Sequence, residues 1–303
     1  HEITAWAIGR RGRASAKRRV RVVVPQPKPA GVEVGGQPVG IAAVESTLWV
    51  SGGSSGEVVK VDAPARAVLA RVPVGGQLGG IAASKSAVWV SSFDSGEVVR
   101  IDPAIGTVEG HVTVGGQPTA IAFDTHGNVW VGNLDGTVAR VDPTSNQVTK
   151  VVRLPSGASS LLAVADLIWI GLQDGSLVPL DPAAGTLAGA AVPVSPDVDA
   201  IARTPVGLWV STFDGLAARV NGATRQVIRR VRLPGRGGGI AWSGQAVWVS
   251  VYDRAYAVAL DPQSGAYLDA VRTGGQPRES VVVDATLWIV DQAAGELTPV
   301  ALG

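Results

Sequence analysis

The sequence predicts an all-β protein, a seven-bladed β-propeller of four-stranded antiparallel blades, on three observations. Seven of its nine Trp recur every 39 to 41 residues, each between two aliphatic residues. Turn residues divide every repeat into four short β-like runs, and helical periodicity is missing. A period near 40 residues with four strands per unit is typical of propeller blades. The repeated residues are Trp49, Trp89, Trp130, Trp169, Trp209, Trp248 and Trp288.

The second repeat shows how each element is assigned. Its predicted strands are 80–83, 87–91, 96–102 and 107–114. The run around Trp89 is apolar on both sides of the alternation, as expected for a strand buried on both faces between neighbouring sheets. An Asp-Pro pair at Asp102-Pro103 predicts the turn between third and fourth strands. Gly-Gly-Gln at 75–77 predicts the turn between blades. The Trp rings are expected to fill the space between blades.

The two ends of the chain predict how the ring closes. The last repeat stops at Gly303, where its third strand should end, so it lacks a fourth strand. Residues 30–34 align with a fourth strand that has no blade before it. We therefore expect residues 32–34 to complete the last blade, which leaves no long sheet edge open. The domain organisation is a leader over residues 1–29 and a monomeric propeller over residues 30–303.

Composition and charge limit the classes of function. The chain is 46% hydrophobic and only 17% charged, which excludes a disordered protein. Residues 1–29 hold eight basic residues and one acid, so a leader of charge +7 precedes a body of charge −6. This asymmetry predicts either a solvated tether or contact with an anionic surface. The stretch 25–29, Pro-Gln-Pro-Lys-Pro, reads as a stiff spacer within a larger polypeptide.

Cysteine is absent, which excludes disulfides, thiolate metal centres and a thiol nucleophile. Its absence favours an extracytoplasmic or cell-surface location over the cytoplasm. No run of about 18 apolar residues predicts a membrane span. His111 is expected in an outer strand and His126 in a hairpin loop, so neither is a candidate base.

Candidate binding residues are those that break the repeat on one face. The turns after each Trp and the turns between blades share that face in a propeller. Four residues after the Trp, three repeats have an aromatic residue on this face: Phe93, Phe213 and Tyr252. We expect these rings to be exposed on the rim and to bind a ligand. Charged residues enter the channel mouth only in the later blades: Asp197, Asp199, Arg236, Arg278 and Glu279. Opposite charges there can hold a polar ligand or pair with each other, and both alternatives stay open.

One recurring basic position is expected to be structural. It lies two residues before the turn Asp and holds Lys60, Arg100, Arg140 and Arg219. We predict a solvated or ion-paired row on the outer part of the sheets.

The repeated phrases resemble the bacterial YVTN-type β-propeller repeat. The resemblance covers residues 30–303 and rests on Val-Gly-Gly-Gln-Pro-x-x-Ile-Ala, Leu-Trp-Val-Ser and Gly-x-Val-x-Arg-Ile-Asp-Pro. It implies a bacterial propeller whose relatives include binding domains, sensor domains, lactonases and streptogramin lyases. Streptogramin lyases use His and Glu on one face with Mg²⁺, and this chain has no His in its face turns. A lactonase-like site would need oxygen ligands around a divalent cation such as Mg²⁺ or Ca²⁺, for which Asp199, Glu279 and Asp291 are the main candidates.

The sequence therefore predicts a non-catalytic binding or sensor module that needs no cofactor. Its ligand would be a small polar molecule or a short segment of a partner protein on the channel-mouth face. The alternative is a metal-dependent lactonase or lyase-like enzyme that uses the same face.

Overall fold

The computed structural model of the protein describes residues 23–302 and, for the backbone, two short antiparallel strands, Glu2–Ala5 and Arg18–Arg21. Predictions on residues 1, 6–17, 22 and 303 lie outside the described residues. This applies to most of the basic leader. No helix in the described part of the chain is both long and apolar enough to cross a membrane.

Residues 32–301 form seven antiparallel four-stranded blades in a ring, a seven-bladed β-propeller, as predicted. The first strands of neighbouring blades contact each other around the central channel, and those of blades 7 and 1 close the circle. From the channel outward, the strands are Ile41–Val44, Thr47–Ser51, Glu57–Asp62 and Ala67–Pro73 in blade 1; Leu78–Ala83, Val88–Ser92, Glu97–Ile101 and Val108–Thr113 in blade 2; Pro118–Phe123, Val129–Asn133, Thr137–Asp142 and Gln147–Arg153 in blade 3; Ala158–Val164, Leu167–Leu172, Ser176–Asp181 and a split outer strand, Thr186–Leu187 with Val192–Pro193, in blade 4; Val198–Thr204, Gly207–Thr212, Leu216–Asn221 and Gln226–Arg232 in blade 5; Gly237–Trp242, Val247–Val251, Tyr256–Leu260 and Tyr267–Arg272 in blade 6; and Pro277–Val283, Thr286–Asp291, Glu296–Ala301 and Val32–Glu33 in blade 7. A 3₁₀ turn, Gly53–Ser55, lies in blade 1.

The N-terminal strand completes blade 7, which confirms the predicted closure. Val32 pairs with Leu297 and Glu33 with Glu296. The amide of Val34 donates to the carbonyl of Gly295 at 2.9 Å. Val32 and Val34 are buried in the cluster that joins blades 7 and 1. The ring is therefore held shut by the two ends of the chain.

The seven repeated Trp lie in the second strands and are almost fully buried, as predicted. Each packs in a cluster that draws on two neighbouring blades; Trp209 of blade 5, for example, packs with Val247 and Leu260 of blade 6. The Trp rings are thus the main apolar filling between sheets.

Three of the four recurring basic residues, Lys60, Arg100 and Arg219, connect neighbouring blades rather than forming a solvated row. Lys60 lies 5.2 Å from the centre of the Trp49 ring and donates to the carbonyl of Pro103 in blade 2 at 2.7 Å. Arg100 covers Trp89 and donates to the carbonyl of Pro143 in blade 3 at 2.6 Å. The predicted ion pairing of this row is found at Arg100, which also pairs with Glu109 at 2.9 Å. The basic side chain bridges a blade junction because the Asp-Pro turn of the next blade presents its carbonyl there.

The Pro-rich stretch is not a free spacer. Gln26 forms a parallel bridge with Val271 in the outer strand of blade 6, donating to the carbonyl of Ala270 at 2.7 Å. Lys28 pairs with Glu296 in blade 7 at 2.6 Å. Prolines on either side of Gln26 have no amide hydrogen, so they fit an added edge strand that makes one pair of hydrogen bonds.

Candidate functional site: the channel mouth

Inner-strand bulges, which recur in six of the seven blades, carry the charged residues of the site in blades 5 and 7. In blade 5 the pairing register shifts between Val198 and Ala200, and in blade 7 between Pro277 and Ser280. A β-bulge of this kind leaves its extra residue unpaired and re-aims the side chain. The bulge residues are Asp199 in blade 5 and Arg278 with Glu279 in blade 7. Both bulges lie at the strand end where the turns between blades meet.

These bulge residues line two connected cavities in the channel. The outer cavity, of about 280 Å³, is bordered by Phe93, Asp199, Arg278, Glu279 and Gln292. The inner cavity, of about 170 Å³, is bordered by Glu279 and by aliphatic side chains of the inner strands. Thr119 and Ser159 border both cavities. Glu279 therefore lies at the boundary between the channel mouth, which the outer cavity occupies, and the throat, which the inner cavity occupies.

Blade 7 departs from the other six at this boundary. The residue equivalent to Glu279 is small in every other blade: Gly40, Gly80, Ala120, Ser160, Ala200 and Gly239. The next residue is Ile or Leu in the other six blades and Ser280 in blade 7. A carboxyl and a hydroxyl thus replace small and aliphatic side chains at one point of the throat.

Burial changes the proton affinity of both channel carboxyls. Each keeps some surface accessible in the narrow channel but is enclosed by protein on its other sides. Desolvation, and to a smaller extent the charge of Asp199, raises the pKa of Glu279 to about 8, against the opposing effect of Arg278. Desolvation likewise raises the pKa of Asp199 to about 6, with Arg278 opposing it and Asp197 adding to it. Near neutral pH, Glu279 therefore holds a proton while Asp199 carries a negative charge.

Two of the aromatic rings form a cluster with two guanidinium groups. Phe213 and Tyr252 lie 5.8 Å apart between ring centres, tilted by 49°. Arg236 lies 4.9 Å from the centre of Phe213, and Arg278 lies 4.6 Å from the centre of Tyr252. The sequence predicted that these rings are exposed on the rim, whereas in the structure they are half-buried. Each guanidinium is attracted to the negative face of a ring.

Arg278 joins the cluster to the cavity. Its Nε donates to Oε1 of Gln292 at 3.0 Å, which orients the guanidinium at the cavity wall. Gln292 occupies the same position after the Trp as Phe93, Phe213 and Tyr252, yet the sequence alone did not identify it as a site residue. A polar Gln at a position that holds Phe or Tyr in three other blades was the signal that could have identified it.

The structure brings most of the predicted site residues together. Phe93, Asp199, Arg278 and Glu279 share one cavity, and Phe213, Tyr252 and Arg236 adjoin it through Arg278. Asp197 lies exposed in the turn before blade 5, near enough to Asp199 to raise its pKa. Within residues 23–302, none of these charged residues forms an ion pair within 4.0 Å.

Asp291 has a different position. Its carboxylate is fully buried and accepts hydrogen bonds from the amide of Gly274 at 2.8 Å and from the hydroxyl of Thr298. Desolvation raises its pKa. It anchors the turn that leads into blade 7. Over the described ranges of the chain, no three His, Cys, Asp or Glu side chains are grouped so as to hold a metal ion.

Comparison with known proteins supports the fold. Hydrazine synthase of Kuenenia stuttgartiensis superimposes with a TM-score of 0.77 at 15% identity, covering 88% of this chain and 96% of that one. A streptogramin B lyase superimposes with a TM-score of 0.77 at 12% identity, covering 90% of this chain and 97% of the lyase. No protein-family model matches the sequence, and neither does any curated protein. At these identities the likeness shows the propeller fold alone, and the predicted YVTN family stays a resemblance.

Proposed function

We propose that this propeller is a non-catalytic binding module whose ligand enters the channel mouth. The observation that supports this is a pair of unpaired charged groups at one cavity. Asp199 and Arg278 border it without forming an ion pair, and the protonated Glu279 lies beside them. A charge held in a confined site without a partner is costly, and a ligand of opposite charge offsets that cost.

The chemistry of the walls defines a small polar ligand or a short exposed segment of a partner protein. A negatively charged group would meet Arg278, which Gln292 already orients. A donor group would meet the carboxylate of Asp199. Phe93 at the cavity and the Phe213–Tyr252 pair beside it would contact apolar parts of the ligand. A cavity of about 280 Å³ accommodates a molecule at the small end of the usual range.

A thermal-shift survey of amino acids, small dicarboxylates and sugar acids tests this proposal. We expect at least one compound to raise the unfolding temperature, and expect that gain to vanish in the Phe213→Ala, Arg278→Ala double variant. Arg254→Ala, an exposed residue two positions after Tyr252, is the matched control and should keep the gain. NMR of each stabilising compound, incubated with the protein, should show no conversion. A ligand that raises the unfolding temperature of the double variant as much as that of the wild-type protein would refute the site.

An enzymatic role is the second candidate, favoured by the two channel carboxyls. Their pKa values, about 6 and about 8, suit one group to accept a proton and the other to donate it near neutral pH. If this is correct, a compound bound at the mouth is converted, and Asp199→Asn abolishes the conversion. Loss of turnover on adding a chelator would show that a divalent cation takes part.

A further inference from the structure

The junction between blades 4 and 5 lacks the contact that bridges other junctions. At the bridging position, Lys60, Arg100 and Arg219 each reach the turn of the next blade, whereas blade 4 has Pro179. The turn that would receive the bridge is also altered, since blade 5 has Asn221-Gly222 in place of Asp-Pro. Trp209 donates to the carbonyl of Pro262 at 3.1 Å, and no such bond joins Trp169 to Gly222.

A cleft opens where the bridge is missing. It has a volume of about 550 Å³ and lies on the face opposite the channel mouth, between the hairpin turns of blades 4 and 5. Trp169, Leu167 and Leu208 form its apolar wall with Val164, Pro205 and Val206. A Cβ at Gly222 would lie 3.3 Å from Cζ2 of Trp169, so a glycine here leaves the indole uncrowded.

A second junction without the basic side chain also has a cleft. Blade 6 has Ala259 at the bridging position, and a cleft of about 350 Å³ lies there beside Trp248. Clefts beside the repeated Trp thus occur at two of the three junctions that lack the basic side chain, the third being that of blade 7, which has Pro299 at this position. The cleft at blades 4 and 5 is larger and contains one charged residue, Arg203.

We propose that the blade 4–5 cleft binds a small planar aromatic carboxylate. Arg203 lies exposed in the lining, and its guanidinium makes no ion pair or hydrogen bond with the described residues. Arg225, which follows the turn that lines the cleft, is engaged with the carbonyl of Ala188. A guanidinium binds a carboxylate with two parallel hydrogen bonds. The apolar wall would cover the ring of the ligand, and a volume of about 550 Å³ lies within the range of small-molecule sites.

Isothermal titration calorimetry with 2-naphthoate tests whether the guanidinium of Arg203 binds the carboxylate of the ligand. We expect saturable binding to the full chain, and a loss of affinity of about tenfold in Arg203→Gln, the size of one charge-assisted contact. Binding of the uncharged 2-naphthol should not change in that variant. Arg272→Gln, which alters an exposed arginine on blade 6, is the control and should leave 2-naphthoate binding unchanged. Absence of saturable binding up to millimolar concentration would overturn the proposal.

A second variant tests the location. Pro179→Arg restores the bridging residue, whose side chain should lie over Trp169 and reach Gly222, so 2-naphthoate binding should be lost. Ala259→Arg makes the same change at the junction of blades 6 and 7 and should leave binding intact. Binding that survives Pro179→Arg would place the ligand elsewhere and refute the proposal. Arg278→Ala at the channel mouth should have no effect, so this experiment is independent of the proposed function.

Discussion

A single residue defines the chemistry of the channel. Glu279 stands where the other six blades have Gly, Ala or Ser, and its carboxyl is enclosed by the inner strands. Desolvation favours the neutral acid, and the nearby Asp199 adds to this effect. The protonated Glu279 can donate a hydrogen bond, which an ordinary surface glutamate does not do at neutral pH.

The raised pKa of Glu279 predicts a stability that falls as pH rises. The folded state keeps this proton up to about pH 8, whereas an unfolded glutamate loses it near its ordinary value of 4.5. The unfolded state therefore binds fewer protons in that interval, and the free energy of unfolding decreases with pH. We expect the wild-type protein to melt several degrees lower at pH 8.5 than at pH 5, and Glu279→Gln to show a clearly smaller decrease.

Circular dichroism melts at both pH values provide this comparison. Glu45→Gln is the control, because Glu45 lies exposed in a hairpin and pairs only with Lys85 on the surface. This variant should reproduce the wild-type decrease. An equal decrease in Glu279→Gln would show that Glu279 is ionised in the folded protein.

The candidate residues are predictable from the sequence, but the contacts between them are not. Asp199, Arg278 and Glu279 were identifiable because each interrupts a repeat of uncharged residues. The placement of Arg278 over Tyr252, and its bond to Gln292, depends on a bulge in a different blade from Tyr252. Because the contact between Arg278 and Tyr252 joins residues of different blades, no local sequence pattern predicts it.

At the scale of elements, the blade junction is the repeating unit of stability. It combines a buried Trp, a cation over the indole and a hydrogen bond to the next turn. Sequence periodicity located the Trp in all seven repeats, and the basic residue in those of blades 1, 2, 3 and 5. It did not show that they belong to one contact, because the basic residue and the turn that receives it lie about 43 residues apart.

Two arginines allow the bridging contact to be measured. Arg100 crosses to the carbonyl of Pro143 and to Asn146 in the next blade, whereas Arg140 donates to Thr149 of its own blade. Both cover a Trp at about the same distance, 6.0 and 5.9 Å. We expect Arg100→Ala to lower the free energy of unfolding by about 1–2 kcal/mol, and Arg140→Ala by about half as much.

Urea unfolding followed by Trp fluorescence gives both values. Each variant removes one cation from one indole, and Glu109→Gln measures the ion pair that Arg100→Ala also removes. Equal losses would mean that the bond to the next blade contributes nothing to stability.

At the scale of the whole molecule, ring closure depends on a short segment. Val32 and Val34 are buried between blades 7 and 1, and their removal would also leave the strand Glu296–Ala301 as an open edge. Burial of two valines contributes about 3–6 kcal/mol. Truncation of residues 1–34 should therefore lower the melting temperature far more than truncation of residues 1–29.

Three truncations separate the contributions of the N-terminal segments. Removing residues 1–22 keeps Gln26 on blade 6 and the Lys28–Glu296 ion pair. Removing residues 1–29 deletes both, and we expect a small decrease since surface ion pairs contribute about 0–1 kcal/mol. The large decrease should appear only on removing residues 30–34 as well. Three equal melting temperatures would contradict closure by this strand.

The sequence by itself determined the number of blades, the order of strands and the closure of the ring. These follow from local rules, since a buried Trp strand, an Asp-Pro turn and a Gly-Gly-Gln turn recur in one frame. Only the tertiary structure decided which side chains meet: the carboxyls at the channel mouth, the guanidinium groups over the rings, and the apolar residues around the cleft beside Trp169. The physical reason is that each of these contacts joins residues from different blades. The circular arrangement of the blades brings them together, although they are far apart in the sequence.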